Sequence, residues 1–97
     1  MNYNEIITST PTVLVEFYAS WCPHCQRMMP IVAQIKQQLD GKTDVHQFDI
    51  DENQHLADSH HVESIPTFIV YRHGKEMWRQ TGEIKEDALL AKIKEYS

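Results

Sequence analysis

The stretch FYASWCPHCQRMMP, residues 17–30, contains both cysteines of the chain. Cys22 and Cys25 are separated by Pro23 and His24. A pair at this spacing can be a metal clip, a structural disulfide or a redox centre. The elements on either side of the pair, and the histidines farther along the chain, bear on that choice.

The segment before the cysteines, TVLVEFY at residues 12–18, predicts a strand covered on both faces, because Glu16 is its one charged residue. A carboxyl group buried in a strand prefers the neutral form, so we expect the pKa of Glu16 to be raised. Such a group can pass a proton to or from Cys25, directly or through a water. In the alternative, the long side chain of Glu16 reaches solvent at the end of the sheet.

The segment after Cys22 has helical periodicity. Apolar residues recur every three or four positions, which predicts an amphipathic helix that ends at Asp40-Gly41. The apolar stripe consists of Cys25, Met28, Val32, Ile35 and Leu39. Pro23 suits the first helical turn, whereas Pro30 falls inside the helix and is expected to kink it. Cys22 then lies at the helix N-cap, where unpaired N–H groups and the helix dipole favour a thiolate.

The rest of the chain alternates between helix and strand. The predicted elements are a short helix at 2–10, strands at 45–50, 66–71 and 77–81, and helices at 51–61 and 83–97. A glycine turn in RHGKE, at 72–76, makes the last two strands a hairpin. Parallel strands joined by helices, followed by this hairpin, predict an α/β protein with helices on both faces of a mixed sheet. No repeat or linker interrupts the chain, so we expect a single domain over residues 1–97.

Composition narrows the class of protein. The chain has 97 residues and a formal net charge of -5 with histidines neutral, and its lysines and arginines are scattered. This pattern argues against a nucleic-acid or anionic-membrane partner. The longest apolar run is far shorter than the ~20 residues that span a bilayer, and MNYNEIITST lacks the basic flank and apolar core of a signal peptide. We therefore expect a cytoplasmic protein, with a monomer as the default state.

The expected reducing compartment and the spacing of the ligands distinguish between the alternatives for the cysteine pair. A disulfide seldom serves as a structural bridge in a reducing compartment, and closing a four-residue loop would restrict the unfolded chain by only roughly 2 kcal/mol. A zinc site needs four ligands, and the clustered histidine candidates begin about thirty residues after Cys25, beyond the usual spacing. These candidates are His55, His60 and His61, which we expect to form a solvated helix face. We expect no bound metal. A CxxC pair where a strand meets a helix favours a redox centre.

Several motifs, in order and at matching separations, resemble the thioredoxin family from about Thr12 to the end of the chain. The matching motifs are the strand and tryptophan of VLVEFYASWC (13–22), the helix-kinking Pro30, the cis-proline loop SIPTF (64–68), and the hairpin glycines of YRHG (71–74) and QTG (80–82). The resemblance implies a thioredoxin fold and thiol-disulfide exchange with disulfide-containing protein substrates. It also implies recharging by thioredoxin reductase, a flavoprotein that draws electrons from NADPH, and no cofactor bound to this chain.

Three departures distinguish the chain from the usual family pattern. The active-site motif is CPHC, with Pro23-His24 in place of Gly-Pro. The buried acidic residue is Glu16 instead of an aspartate, and Gln47 stands where a lysine is usual. Only about twenty residues precede Cys22, so we expect the family's first edge strand to be missing and the sheet to have four strands.

The resemblance assigns four residues to substrate binding. Trp21 is expected to form an exposed platform beside Cys22. The Ile65-Pro66 bond is expected to be cis and to stand against the cysteines, which leaves the Ile65 backbone free to pair with an extended substrate segment. Gly82 would let the substrate backbone approach closely. In the alternatives, Pro66 is an ordinary strand-entry proline and Gly82 is a plain turn that ends a strand.

The expected reaction divides the work between the cysteines. The Cys22 thiolate attacks the substrate disulfide, and Cys25, deprotonated with help from Glu16, resolves the mixed disulfide. The Pro23-His24 insert tunes the direction of electron flow. An imidazole that stabilises the Cys22 thiolate makes the protein more oxidising, whereas a solvent-facing imidazole has little effect.

We expect net reduction of protein disulfides in the cytoplasm, where glutathione and thioredoxins hold such a pair reduced. One alternative is a thiol oxidase or isomerase, which the Pro23-His24 insert favours. Another is a redox-silent module that binds partners through the groove around Trp21, Ile65 and Pro66. Activity that survives replacement of both cysteines would favour that module.

Overall fold

The structure, a computed structural model, describes residues 2–97. In chain order its elements are α1 (Tyr3–Ile7), β1 (Thr12–Tyr18), α2 (Pro23–Gln38), β2 (Asp44–Asp49), α3 (Gln54–Ser59), β3 (Thr67–Arg72), β4 (Lys75–Thr81) and α4 (Glu86–Glu95). This order matches the predicted alternation of helices and strands, and the predicted α/β class is confirmed.

The strands form one mixed sheet in the order β2-β1-β3-β4. β1 runs parallel to β2 and antiparallel to β3, and β3 pairs with β4 as the predicted antiparallel hairpin. The four-stranded mixed sheet is therefore confirmed. The described residues before β1 form α1 and no strand. β1 is central in the sheet, and its residues 12–17 are all buried.

Alternate residues of β1 face different helices, because successive side chains of a strand point to opposite faces of the sheet. Leu14 belongs to a core cluster with residues of α2 and α4. Val13, Val15 and Phe17 belong to a second cluster with residues of α1 and α3. Helices thus cover both faces, as predicted. Glu16 shares its face with Leu14, which directs its carboxyl group toward the α2 side.

Helix α2 begins where the sequence predicts. Cys22 is its N-cap residue, with an extended backbone, and Pro23 stands in the first turn. The inward face of the helix is buried and consists of Cys25, Met28, Val32 and Ile35. Pro30 lies on the exposed side, within a helix that continues to Gln38. The helix therefore places Cys22 at its N-terminus and Cys25 on its buried face.

Helix α3 is shorter than predicted, covering Gln54–Ser59 instead of 51–61. At its start, the backbone N–H of Asp51 donates to Oδ1 of Asp49 at 2.9 Å, which holds a turn rather than a helix. At its end, His61 has a φ of 57°, a left-handed conformation that stops a helix. Local hydrogen bonding and backbone conformation thus override the helix-compatible composition.

The histidines of this segment do not form the predicted solvated helix face. Only His55 lies on α3, where it is exposed. His60 and His61 follow the helix, so the prediction is wrong for these two. The ring of His60 packs on Tyr3 with the ring centroids 4.2 Å apart.

Helix α4 also starts later than predicted, at Glu86, with Lys85 as its N-cap residue. The preceding loop begins at Gly82, whose φ of 98° ends β4 in a conformation that favours glycine. Within residues 2–97, no helix combines the length and apolarity that crossing a membrane requires.

Candidate active site

The two cysteines lie where strand ends meet the start of a helix. β1 ends at Tyr18, and a short loop leads from it to Cys22 at the start of α2. Thr67 at the start of β3 pairs with Thr81 at the end of β4, at the same edge of the sheet. Cys25 follows one helical turn after Cys22, and both are free thiols in this structure.

Hydrogen bonds and one positive charge surround the Cys22 sulfur. The backbone N–H of Cys25 donates to Sγ at 3.4 Å, and the Cys22 thiol lies 4.0 Å from the carbonyl oxygen of Ile65. Burial by itself would raise the pKa of Cys22. Hydrogen bonds from the Cys25 thiol and from the N–H groups of Cys25 and His24, together with the charge of Arg27, outweigh burial and lower that pKa. A sulfur with a lowered pKa is suited to be the nucleophile.

Cys25 has the opposite character. Burial raises its pKa to about 12, and the nearby Cys22 and Glu16 add to the rise. Its side chain is 1% exposed, against 4% for Cys22. Cys25 thus remains a protonated thiol until a base takes its proton, which suits the resolving step of an exchange reaction.

Glu16 is fully buried, so the alternative in which its side chain reaches solvent does not hold. Gln47, its neighbour across β1 and β2, donates from Nε2 to Oε1 at 2.9 Å. Among the described residues, Oε2 has no hydrogen-bond partner. Burial raises the pKa of Glu16 to about 7, and the bond from the neutral Gln47 only partly opposes this. The carboxyl group can therefore exchange a proton near neutral pH.

Trp21 is 62% exposed beside Cys22, as the resemblance implies. Its indole Nε1 donates to Oδ2 of Asp51 at 2.8 Å. This bond ties the large apolar ring to the turn before α3 and fixes its orientation. The ring thus offers an apolar surface next to the outer sulfur.

Ile65, Pro66 and Gly82 form the opposite side of the site. The Ile65-Pro66 bond is cis, and Pro66 is buried. The Ile65 carbonyl oxygen faces the Cys22 thiol, and within residues 2–97 the Ile65 N–H makes no backbone hydrogen bond. The Gly82 N–H donates to the Pro66 carbonyl at 2.8 Å, which joins the two loops. A substrate role for these residues stays a prediction.

The His24 imidazole contacts two charged side chains. Its Nδ1 lies 2.6 Å from Oε2 of Glu83 and 2.8 Å from Nη2 of Arg27. Arg27 also donates from Nε to the same Glu83 oxygen at 2.9 Å. The His24 side chain is 60% exposed. Redox tuning by the Pro23-His24 insert stays a prediction.

A pocket of about 230 Å³ opens beside the inner cysteine. It is lined by Tyr18, Ala19, Ser20, Cys25, Gln26 and Met29. Met29 also contacts Gln47, the partner of Glu16, since Nε2 of Gln47 lies 4.0 Å from the methionine sulfur. The pocket offers room for water beside Cys25.

A larger pocket of about 400 Å³ contains neither cysteine. It lies around Thr12 and Arg72, at the start of β1 and the end of β3, and so at the other edge of the sheet. Within residues 2–97, no group of three or more histidine, cysteine, aspartate or glutamate side chains could hold a metal ion.

Three site neighbours, Arg27, Asp51 and Glu83, were not predicted. Arg27 could have been found, because it follows His24 by three positions on a helix and such residues share a face. Asp51 and Glu83 come from distant loops and carry no local signal. The fold alone brings them to the cysteines.

Comparison with known proteins gives one consistent result. A family model described as Thioredoxin matches residues 1–95. The thioredoxin of Chlorobaculum thiosulfatiphilum is 33% identical over 92 residues, which cover 95% of this chain and 85% of that protein. The thioredoxin of Rickettsia felis is 34% identical over 86 residues, which cover 89% and 82%. A solved thioredoxin variant from Halobacterium salinarum NRC-1 has a TM-score of 0.88 at 34% identity, covering 96% of this chain and 80% of that chain.

Proposed function

The chain belongs to the thioredoxin family and is a thiol-disulfide oxidoreductase, and we propose that it works as a net reductant of protein disulfides in the cytoplasm. The observation that carries the chemistry is the contrast between the cysteines. The pKa of Cys22 is lowered, while that of Cys25 is raised to about 12. Cys22 is therefore suited to be the nucleophile, and Cys25 keeps its proton until the resolving step.

The proposed reaction moves two electrons from the protein to the substrate. The Cys22 thiolate attacks one sulfur of the substrate disulfide, which forms a mixed disulfide and releases the first substrate thiolate. The Glu16 carboxylate then accepts the proton of Cys25, directly or through water. The Cys25 thiolate attacks Cys22, a Cys22–Cys25 disulfide forms, and the second substrate thiolate leaves. The substrate is reduced and the protein is oxidised.

The contacts of His24 support the reducing direction. Its imidazole contacts Glu83 and Arg27, and no hydrogen bond among the described residues joins this ring to the Cys22 sulfur. The lowered pKa of Cys22 favours the other candidate, a thiol oxidase or isomerase, because a stabilised thiolate favours the reduced form of the protein.

Equilibration with glutathione buffers of known composition tests the direction. A net reductant should have a potential near the value of about -270 mV typical of thioredoxin, whereas about -120 mV is typical of the strongest oxidants of this fold. The reduced fraction can be counted by alkylation and mass spectrometry. A potential near the second value would replace the reductant with the oxidase.

We further propose that a flavoprotein thioredoxin reductase recharges the protein with electrons from NADPH. Family membership supports a reductase partner and disulfide-containing substrates. Mixing the oxidised protein with NADPH and a thioredoxin reductase should consume one NADPH per Cys22–Cys25 disulfide. Absence of consumption with reductases from several sources, while dithiothreitol still reduces the protein, would reject this electron source.

We also propose that the protein is located in the cytoplasm and is a monomer. The net charge of -5 supports a protein that stays free of anionic membranes and nucleic acids. Fractionation of cells and detection with an antibody test the location. Light scattering coupled to size-exclusion chromatography tests the monomer, whose expected mass is 11.4 kDa.

A further inference from the structure

Three charged or titratable side chains form a cluster beside the cysteines, which we call the Glu83 cluster: His24, Arg27 and Glu83. One oxygen of Glu83 contacts Nδ1 of His24 at 2.6 Å and Nε of Arg27 at 2.9 Å. His24 and Arg27 belong to the first turns of α2, whereas Glu83 belongs to the loop after β4. The cluster therefore joins the helix of the nucleophile to the loop of Gly82.

The cluster is electrostatically linked to the nucleophile. The positive charge of Arg27 lowers the pKa of Cys22. Glu83 is ionised at neutral pH, because its hydrogen bonds with Arg27 and His24 lower its pKa to about 2. The ionised carboxylate of Glu83 is therefore in contact with Arg27, whose positive charge stabilises the Cys22 thiolate.

We propose that Glu83 is a positioning residue that offsets the charge of Arg27 and holds the His24 imidazole within the cluster, and thereby limits how strongly this helix stabilises the Cys22 thiolate. The proposal rests on the proposed function, because it explains how a CPHC protein remains a reductant. Glu83 acts through Arg27 and His24 and does not contact the reacting sulfurs among the described hydrogen bonds.

The sign of the effect follows from charge. Replacing Glu83 with glutamine removes one full negative charge and leaves Arg27 ionised, since a guanidinium keeps its proton in proteins. The net change beside Cys22 is therefore positive. A positive change stabilises the thiolate and, with it, the reduced form.

The test compares Glu83→Gln with the unchanged protein at low ionic strength, where surface charges are least screened. The thiolate fraction of Cys22 is measured by its ultraviolet absorbance at a pH below the pKa of this thiol. We expect this fraction to rise about threefold. In a fixed glutathione buffer at a pH above the pKa of Cys22, we expect the ratio of reduced to oxidised protein to rise about threefold as well, which is roughly 14 mV for a two-electron couple. Added salt should shrink both changes.

Two further variants test whether the effect is specific to Glu83 and depends on Arg27. Glu76→Gln also removes a carboxylate paired with an arginine three positions away, but far from the cysteines, and should change neither quantity. Arg27→Ala should lower the thiolate fraction, and in that background Glu83→Gln should have less effect. An unchanged or reduced thiolate fraction in Glu83→Gln would overturn the proposal, because Glu83 would then be neutral or would hold Arg27 toward the sulfur.

The test of Glu83 and the test of net reduction can fail independently of each other. A strongly oxidising potential in the unchanged protein rejects net reduction, whatever Glu83→Gln does. A reducing potential that Glu83→Gln leaves unchanged rejects only the role of Glu83.

Discussion

Glu16 shows how a single buried group can serve chemistry at the expense of stability. Its pKa is raised from 4.5 to about 7, mainly by burial. At about 1.4 kcal/mol per pKa unit, the shift corresponds to roughly 3 kcal/mol of folding free energy. Because the pKa in the folded state lies above that in the unfolded state, this stability is fully present below about pH 4.5 and is lost as the pH rises through 7.

Glu16→Gln removes this titration while keeping a group that can bond to Gln47. The variant should match the unchanged protein in stability near pH 4 and exceed it by up to about 3 kcal/mol at pH 8 and above. Urea unfolding across this range measures the difference. A constant difference at all pH values would show that Glu16 does not titrate with a raised pKa.

The same variant should slow the resolving step. In the unchanged protein the rate of Cys25 attack should rise with pH through about 7, as Glu16 becomes able to accept a proton. Glu16→Gln should lose that rise, while the attack of Cys22 on a disulfide continues. Stopped-flow kinetics of the two steps separate the effects, and an unchanged pH profile would remove Glu16 from the mechanism.

Cys25→Ser should convert the protein into a trap. The Cys22 thiolate can still attack a substrate disulfide, but no second thiol is present to resolve the adduct. Stoichiometric mixed disulfides with a protein substrate should therefore accumulate on non-reducing gels, and the matched Cys22→Ser variant should give none. If Cys25→Ser turned over substrate at the original rate, the division of roles between the cysteines would be wrong.

At the scale of elements, the β3–β4 hairpin has the backbone of a tight two-residue turn. His73 and Gly74 have φ values of 51° and 80°, and they join the paired residues Arg72 and Lys75. Positive φ at both positions is the mark of a type I′ turn, which favours Asn-Gly. The His73 N–H also donates to the Pro11 carbonyl at 2.8 Å, which anchors the turn to the start of β1.

His73→Asn should stabilise the protein by about 0.5 kcal/mol, because asparagine tolerates the left-handed conformation better than histidine. Gly74→Ala should destabilise it by roughly 1–2 kcal/mol, since an added Cβ would meet the Thr8 side chain at 2.9 Å in a strained backbone. Free energies of unfolding in urea measure both. Equal effects of the two variants would contradict the turn assignment.

At the scale of the whole molecule, α4 closes the core on the α2 side of the sheet. Ile93 is fully buried in the cluster that includes Leu14, Met28 and Phe68. Ile93→Ala should therefore cost about 2–5 kcal/mol, a large part of the stability of a domain of this size. Thermal and urea unfolding measure the loss. Lys94→Ala, at the exposed neighbouring position, should stay within about 0.5 kcal/mol.

The order of elements was predictable because its signals are local. The period of apolar residues separates TVLVEFY from the helix that follows, and the proline after Cys22 marks the start of that helix. The bounds of α3 were not predictable from composition. The turn at Asp51 and the left-handed His61 depend on hydrogen bonds and backbone conformation that the polar sequence 51–61 does not reveal.

Three features follow from local sequence, since each depends on neighbours within a few residues: the redox pair, the helix end that activates Cys22, and the position of Glu16 in a central strand. The contact partners of these residues depend on the folded chain. Gln47 reaches Glu16 across 31 positions, Asp51 reaches Trp21 across 30, and Glu83 reaches His24 across 59. The pairing of β1 with β2 sets Gln47 opposite Glu16, and the strand order of the sheet brings the loops of Asp51 and Glu83 to the end of the sheet that carries the cysteines. No pattern near the cysteines encodes these contacts.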